Sequence, residues 1–471
     1  MANEQAPQQQ DSSLESYGYK QEFSRVLKLR HLVLYGLAYV TPTAPFPMLG
    51  IVAIISGGHL ALVYIVALIA LYFTATSYGK MAARHPIAGS SYSYSQQAIH
   101  PHFGFFIGWA LFLSYLLVPL LSIIAARDLF LLVYPGVPSW VVIVTFVVFM
   151  TVVNLLGIKV TAGANAVMTG AMILAAILFV ILAIIALLKG EGEGVLFSLR
   201  PFYNPGTFNS NLILAGTAIA VFSYIGFDAV STLAEEVEKP RVNIGRATVL
   251  VCLFCALIFV VVAYLAQMVW PDFSSLPRDV SAVLLISKKI GGEPFYYTVF
   301  AIMIVAGVSC ALASQVSAAR IMYGMGRDGV LPRKFFSYVS EKYKIPTYNI
   351  LLIAVVSLAL YFLLDNTYGQ KAFEISAQVL NYGAFLGFFA VNLSVIFEYV
   401  FSGKKDRYNA FEVWRFYIMP IIGMYVIGRI FMNLDPSVLE YVSYWMLFGL
   451  VHYAFITRGF RRTLKMKLEE E

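Results

Sequence analysis

The chain has 471 residues, of which 59% are hydrophobic and only 13% charged, with a mean hydropathy of +0.75. A soluble domain carries roughly a quarter charged residues, so this composition excludes a soluble enzyme, a disordered protein and a disulfide-stapled secreted domain. The formal charge of +7 follows from where the basic residues fall relative to a bilayer, and no nucleic-acid partner is expected from it.

Residues 1–30 are polar and Gln-rich at their start and are expected to form a disordered cytoplasmic tail. No charged segment leads into a short apolar core, so the first span must itself start insertion. Unbroken apolar runs such as Val141 to Val153 and Ile173 to Leu188 predict spanning helices, not the alternating strands of an outer-membrane barrel. Twelve spans are predicted, near 32–56, 60–80, 103–133, 140–157, 163–188, 211–235, 247–270, 295–323, 347–364, 373–400, 414–433 and 438–457. An even number returns both termini to one side. With the N-terminus inside, 23 of the 33 Lys and Arg residues lie in cytoplasmic segments and 6 in external ones, as the positive-inside rule requires. The chain is therefore expected to be an all-α, multi-pass protein of the inner or plasma membrane with both termini in the cytoplasm.

Two predicted spans are interrupted. The first runs as helix to Val40 and then reads Thr41-Pro42-Thr43-Ala44-Pro45-Phe46-Pro47. Prolines at this density remove amide donors and cannot all sit in a continuous helix. The sixth carries Ser223-Tyr224-Ile225-Gly226-Phe227-Asp228, a glycine and a carboxylate inside an apolar run. Backbone freed at membrane depth is tolerated only when buried in protein or facing a hydrated cavity. Interruptions at corresponding places in two sets of five spans point to an inverted-repeat transporter with a central substrate site. The expected organisation is a first repeat over 31–189, a second over 190–402, two peripheral spans over 403–458 and a cytoplasmic tail over 459–471.

The run Gly226-Phe227-Asp228-Ala229-Val230, through Leu233-Ala234-Glu235-Glu236-Val237 to Lys239-Pro240-Arg241, resembles the sixth-span signature of the amino acid–polyamine–organocation transporter superfamily. So do Ser77-Tyr78-Gly79-Lys80 with Pro86-Ile87-Ala88-Gly89-Ser90, and Ala318-Ala319-Arg320-Ile321-Met322-Tyr323 with Gly326-Arg327-Asp328-Gly329. Within the superfamily the chain is similar to bacterial putrescine importers, through Gly36-Leu37-Ala38-Tyr39, the run Met322 to Val330, and Asn381-Tyr382-Gly383-Ala384. The resemblance implies a 5+5 helical bundle that imports a small amine by alternating access, with putrescine-like polyamines as the leading substrate. The alternatives are a permease for neutral or cationic amino acids, or an amine/amino acid exchanger. Where such importers carry acids in the first and third spans, Pro47 and Ser114 stand here, and the turn that grips an amino acid's carboxylate is rich in proline without N–H groups.

An ammonium group at the bilayer centre needs counter-charge or oriented carbonyls. Asp228 is the acid expected at midplane depth in the first ten spans, as amine partner or proton carrier, or as a cap for the second half of its broken helix. The carbonyls of Val40 and Thr41 and the Thr43 hydroxyl are candidate acceptors for the same amine. Aromatic residues near the breaks, Tyr39, Phe46, Tyr115, Phe222, Tyr224 and Phe227, can cage an amine or close over it. Glu235, Glu236 and Arg320 are expected at the cytoplasmic ends of their spans, as gating charges that pair and separate. Arg127 and Asp128 are adjacent, hence not facing each other on a helix, and are expected to snorkel to the external interface. Two GxxxG runs, Gly104 to Gly108 and Gly383 to Gly387, predict close helix contacts.

No nucleotide-binding loop of the Gly-x-x-x-x-Gly-Lys-Ser/Thr type occurs in the chain, so accumulation must draw on an ion gradient or exchange. Some proton-coupled relatives use a lysine in the fifth span; Met172 stands at the corresponding place. Proton coupling through Asp228 is the leading expectation, and sodium, with Ser309, Ser314 and Ser317 as possible ligands, is the alternative. No cofactor or metal is expected. Cys252, Cys255 and Cys310 fall in apolar stretches and read as packing residues, and His100 and His102 flank a proline in a structural setting, so no enzyme site is predicted.

Overall fold

Apolar runs in a bilayer satisfy their own amides as helices, and helices make up the long elements of the protein. The computed structural model describes residues 21–368, 372–401, 409–432 and 436–461. In chain order the α-helices are α1 Leu29–Val40, α2 Leu49–Ile55, α3 Leu60–Arg84, α4 Ser91–Ala98, α5 Pro101–Val133, α6 Ser139–Leu155, α7 Ile158–Leu188, α8 Ser210–Ala220, α9 Pro240–Val269, α10 Ser281–Arg327, α11 Arg333–Phe336, α12 Thr347–Tyr368, α13 Ala372–Ile396, α14 Ala410–Val413, α15 Met419–Phe431 and α16 Pro436–Ile456. Among the described residues, β pairing is confined to a parallel bridge between Leu27 and Val237.

Nine segments among the described residues are long and apolar enough to cross a membrane, and they correspond to nine of the twelve expected spans. The other three differ for local reasons. The first is divided into α1 and α2 by its proline-rich turn, and α6 stops after 17 residues. The twelfth, α16, carries Glu440 and His452 among its apolar residues, and these, with its tyrosines, lower its hydropathy. Residues 1–20 and 462–471 of the expected tails lie outside the described residues. The N-terminal segment expected to be disordered through residue 30 is instead packed from Gln21 onward, because the backbone amides of Val26 and Leu27 both donate to Glu236 O at 3.0 Å.

Small residues set how closely the spans approach. A side chain at Gly104 or Gly108 would strike Gln96 or Tyr92 of α4, and one at Gly383 or Gly387 would strike Ala110 or Leu111 of α5. Both glycine pairs thus hold helices at backbone distance, as their spacing predicts. The same device brings α3 against α9, where Gly79 meets Gly245. Cys252 and Cys255 are buried in α9 as free thiols. At the start of α5, His100 accepts from the His102 amide at 3.2 Å, so this histidine caps a helix.

Candidate functional site

α1 ends at Val40 because the prolines that follow cannot continue its hydrogen-bond ladder. Thr41 takes a positive φ of 61°, an uncommon conformation for a β-branched residue. The Ala44 and Phe46 amides then donate to the Thr41 and Thr43 carbonyls at 3.0 Å, closing a tight turn before Phe46–Met48 starts the second half. The Thr43 hydroxyl is buried, 1% exposed, and has no hydrogen-bond partner.

The second break lies opposite. α8 ends at Ala220, a 3-10 turn covers Val221–Tyr224, and a 3-10 helix resumes at Phe227–Glu236. Between them Gly226 has φ 117°, and a Cβ there would collide with the Tyr39 ring. Only glycine meets both conditions, so this residue lets the two breaks touch. Ser223 Oγ donates to Ala44 O across the same contact at 3.4 Å.

A cavity of about 260 Å³ lies against these breaks, lined from them by Tyr39, Val40, Thr41, Thr43, Phe222 and Ser223. One wall is α5, through Val118, Leu121, Ser122, Ala125, Asp128 and Leu129; another is α10, through Met303, Ala306, Gly307 and Cys310. Both sets follow the i, i+3, i+4, i+7 spacing of one helix face.

Of the substrate-binding residues expected from the sequence, Val40, Thr41, Thr43 and Phe222 line this cavity. Tyr115 and Asp228 are brought together beside it, not in its wall: the Tyr115 hydroxyl donates to Asp228 Oδ2 at 2.6 Å, and Asp228 is 3% exposed. The Tyr39 ring, which does line the cavity, stands edge-on to Tyr115 at 6.2 Å between centroids. Asp228 occupies the first turn of the resumed helix, where backbone amides of Gly226 and Asp228 also face its carboxylate. Phe46 and Tyr224 do not line the cavity. Phe46 packs on Phe179 at 5.5 Å, and the 3-10 turn points Tyr224 to Phe259 at 4.8 Å and to the Tyr64 carbonyl.

Sequence reasoning passed over Ser122, Asp128 and Cys310 as wall residues, although their helical register with the other lining residues was readable. The expectation for Arg127 and Asp128 is also corrected. Arg127 Nε lies 2.9 Å from Asp128 Oδ1, because the long arginine bends back around the helix, and its side chain is only 13% exposed. It also donates to Ser139 Oγ at 2.9 Å and sits 5.3 Å from the Tyr361 ring centre. The three serines considered as ion ligands do not converge: Ser309 donates to Ala38 O and Asn165, Ser314 to Ala311 O, and Ser317 pairs with Tyr35. No group of three or more His, Cys, Asp or Glu side chains able to hold a metal is present among the described residues.

At the opposite end of the bundle from Asp128, the three gating candidates meet. Arg320 pairs with Glu236, the two side chains being 2% and 3% exposed. Arg327 Nη1 reaches Glu235 Oε1 at 2.8 Å, and the Ala88 amide donates to the same oxygen at 3.1 Å. The N-terminal segment is laid across these pairs. Gln21 Nε2 donates to Glu235 O at 2.7 Å, the Phe23 ring lies under the Arg320 guanidinium at 5.7 Å, and the Tyr323 hydroxyl donates to Glu22 at 3.0 Å. Arg327 and the segment from Gln21 to Lys28 are packed together with these charges, and neither carried a signal in the sequence beyond the motif containing Arg327.

The profile of the family described as "Amino acid permease" matches residues 31–445. The chain is 34% identical over 441 residues to the low-affinity putrescine importer PlaP of Escherichia coli (strain K12), a match covering 93% of this chain and 95% of that one. It is 26% identical over 465 residues to the branched-chain amino acid permease BcaP of Bacillus subtilis (strain 168), covering 93% and 94% of the two chains. It is 24% identical over 448 residues to the histidine permease HisP of Lactococcus lactis subsp. cremoris, covering 92% and 93%.

Proposed function

The chain belongs to the amino acid permease family, and on that premise we propose that it is a secondary transporter that imports a putrescine-like polyamine by alternating access, coupled to protons. It is a multi-pass membrane protein of a family of permeases. We further propose that 31–189 and 190–402 are two inverted repeats of five spans, that 403–458 forms two peripheral spans, and that both termini face the cytoplasm from the inner membrane. The excess of basic residues on one side supports this orientation.

The observation that carries the reading is the meeting of the two helix breaks around one cavity, with a buried carboxylate beside it. In this reading an ammonium group is held by the carbonyls of Val40 and Thr41 and by the Thr43 hydroxyl, under the aromatic faces of Tyr39 and Phe222. Asp228 supplies the buried negative charge that the cation needs in a low-dielectric site. It does so when Tyr115 releases it, and it carries the coupling proton. Phe46 and Tyr224 then support the site by packing, without touching the substrate. The cavity reaches toward Asp128 while Glu235, Glu236, Arg320 and Arg327 seal the far end. This is the arrangement of a carrier loaded from the Asp128 side, and delivery requires those pairs to part.

The apolar walls of the cavity favour a second reading, a permease for neutral or cationic amino acids or an amine/amino acid exchanger. Relatives described as branched-chain amino acid and histidine permeases are consistent with it. The deciding experiment is uptake of labelled putrescine into liposomes containing the purified protein, under an inward proton gradient, with a competition panel of diamines and amino acids. Competition by diamines and dependence on the proton gradient are expected. Inhibition by amino acids alone would replace the polyamine reading, and flux that follows sodium and ignores pH would remove the proton coupling.

A further inference from the structure

The carboxylate that the cavity meets directly is Asp128. Among its described lining residues Asp128 is the one acid; Asp228 is not in the wall and is engaged by Tyr115. The Asp128 side chain is 56% exposed, whereas the Thr43 hydroxyl at the break is buried and without a partner. One cavity is therefore lined by an exposed carboxylate and by a threonine whose buried hydroxyl has no partner, with Val118, Leu121 and Met303 in its apolar wall. Its volume of about 260 Å³ is just below the roughly 300–1,000 Å³ of common ligand pockets, which favours a small, linear ligand.

The arginine beside Asp128 adds the second part. Arg127 holds Asp128 through a pair between adjacent helix positions, which is a poor geometry on a half-exposed acid, and such pairs are weak. Two of its contacts, to Ser139 Oγ at 2.9 Å and to the Tyr361 ring at 5.3 Å, do not involve Asp128 and help to keep the guanidinium in place when the acid changes partner.

We propose that Asp128 is the first docking site for a primary aliphatic ammonium, which displaces Arg127 from it while the other end of the ligand extends toward Thr43. Resting on the amine-transport reading above, this assigns to the outer mouth a specificity-determining acid separate from the buried Asp228. It accounts for how a dication could be held with no second buried acid: one nitrogen stays at the hydrated mouth, where its charge costs little, and one goes inward.

The test is equilibrium binding of labelled putrescine to the full-length purified protein, with uptake kinetics in liposomes. Asp128→Asn is expected to weaken binding and raise KM by roughly twofold to fivefold with kcat retained, the size of a partly exposed ion pair. Asp128→Glu should restore most of the loss. Arg127→Gln, by removing the guanidinium that competes with the ammonium, should tighten binding. That sign separates recognition from a structural role, in which both single variants would weaken binding alike. Because Asp128 is half exposed, its variants should keep the wild-type melting temperature. Wild-type affinity in Asp128→Asn, or weakened binding in a folded Arg127→Gln, would overturn the proposal. A wild-type protein that binds no putrescine would remove the amine-transport reading and this site with it, whereas a binding wild type with an indifferent Asp128→Asn would remove this site alone.

Discussion

The Tyr115 hydroxyl donates to Asp228 Oδ2 at 2.6 Å, and both residues are buried. A lone carboxylate at this depth would be costly, and the phenol partly satisfies it while leaving its charge available. Asp228→Asn removes that charge with little change of shape and should abolish substrate accumulation at unchanged expression, measured as uptake in liposomes. Tyr115→Phe removes the phenol donor and leaves the acid to the backbone amides alone, and uptake should fall while Asp228 is still present. Full activity in Asp228→Asn would take the residue out of the transport cycle.

Gly226 joins two halves of the site. A methyl group there faces both a positive φ of 117° and the Tyr39 ring, so Gly226→Ala should destabilise the protein by on the order of 1–3 kcal/mol. Thermal unfolding in detergent would show this as a lowered melting temperature. Adding Tyr39→Ala removes the collision but leaves the backbone strain, so the double variant should recover only part of the loss. Equal stability of Gly226→Ala and wild type would mean that the two breaks do not press on each other.

Much of this was legible in the residues. Apolar run lengths located the long spans, three closely spaced prolines located the first break, and Gly226 beside Asp228 located the second. The positions of Phe46 and Tyr224 were not legible. Which way a ring points from a short 3-10 turn depends on a local winding that period-based reasoning does not resolve. The pairing of Arg127 with Asp128 was missed because the rule for adjacent helix positions takes side chains as short, whereas arginine reaches past its neighbour. The packing of Gln21 to Lys28 was hidden as well, since a polar segment carries no periodicity and its partner, Glu236, lies more than two hundred positions away.

The pair between Arg320 and Glu236 is almost fully buried. Truncating one member of such a pair leaves an uncompensated charge and costs about 3–5 kcal/mol. Arg320→Ala should therefore unfold more readily than Glu236→Gln, which retains a polar partner of the same size. In uptake assays Glu236→Gln is expected to weaken the seal, raising leak or exchange relative to concentrative uptake. A variant with normal stability and normal concentrative uptake would show that the pair neither holds the fold nor closes the path.

Glu236 also receives the backbone amides of Val26 and Leu27, while Gln21 reaches Glu235 and Phe23 lies against Arg320. The segment is thus a strap over both ion pairs. Deleting residues 1–20 leaves these contacts intact and should preserve transport. Deleting through residue 28 removes them together and exposes the charges to water, whose higher dielectric weakens the pairing. The longer deletion should then insert normally but favour the state open at that end. Cysteine-accessibility labelling at Ser314 or Ser317, each replaced by Cys, would report the change as faster modification from that side. Equal labelling rates in the two deletions would show that the ion pairs hold the end shut without the strap.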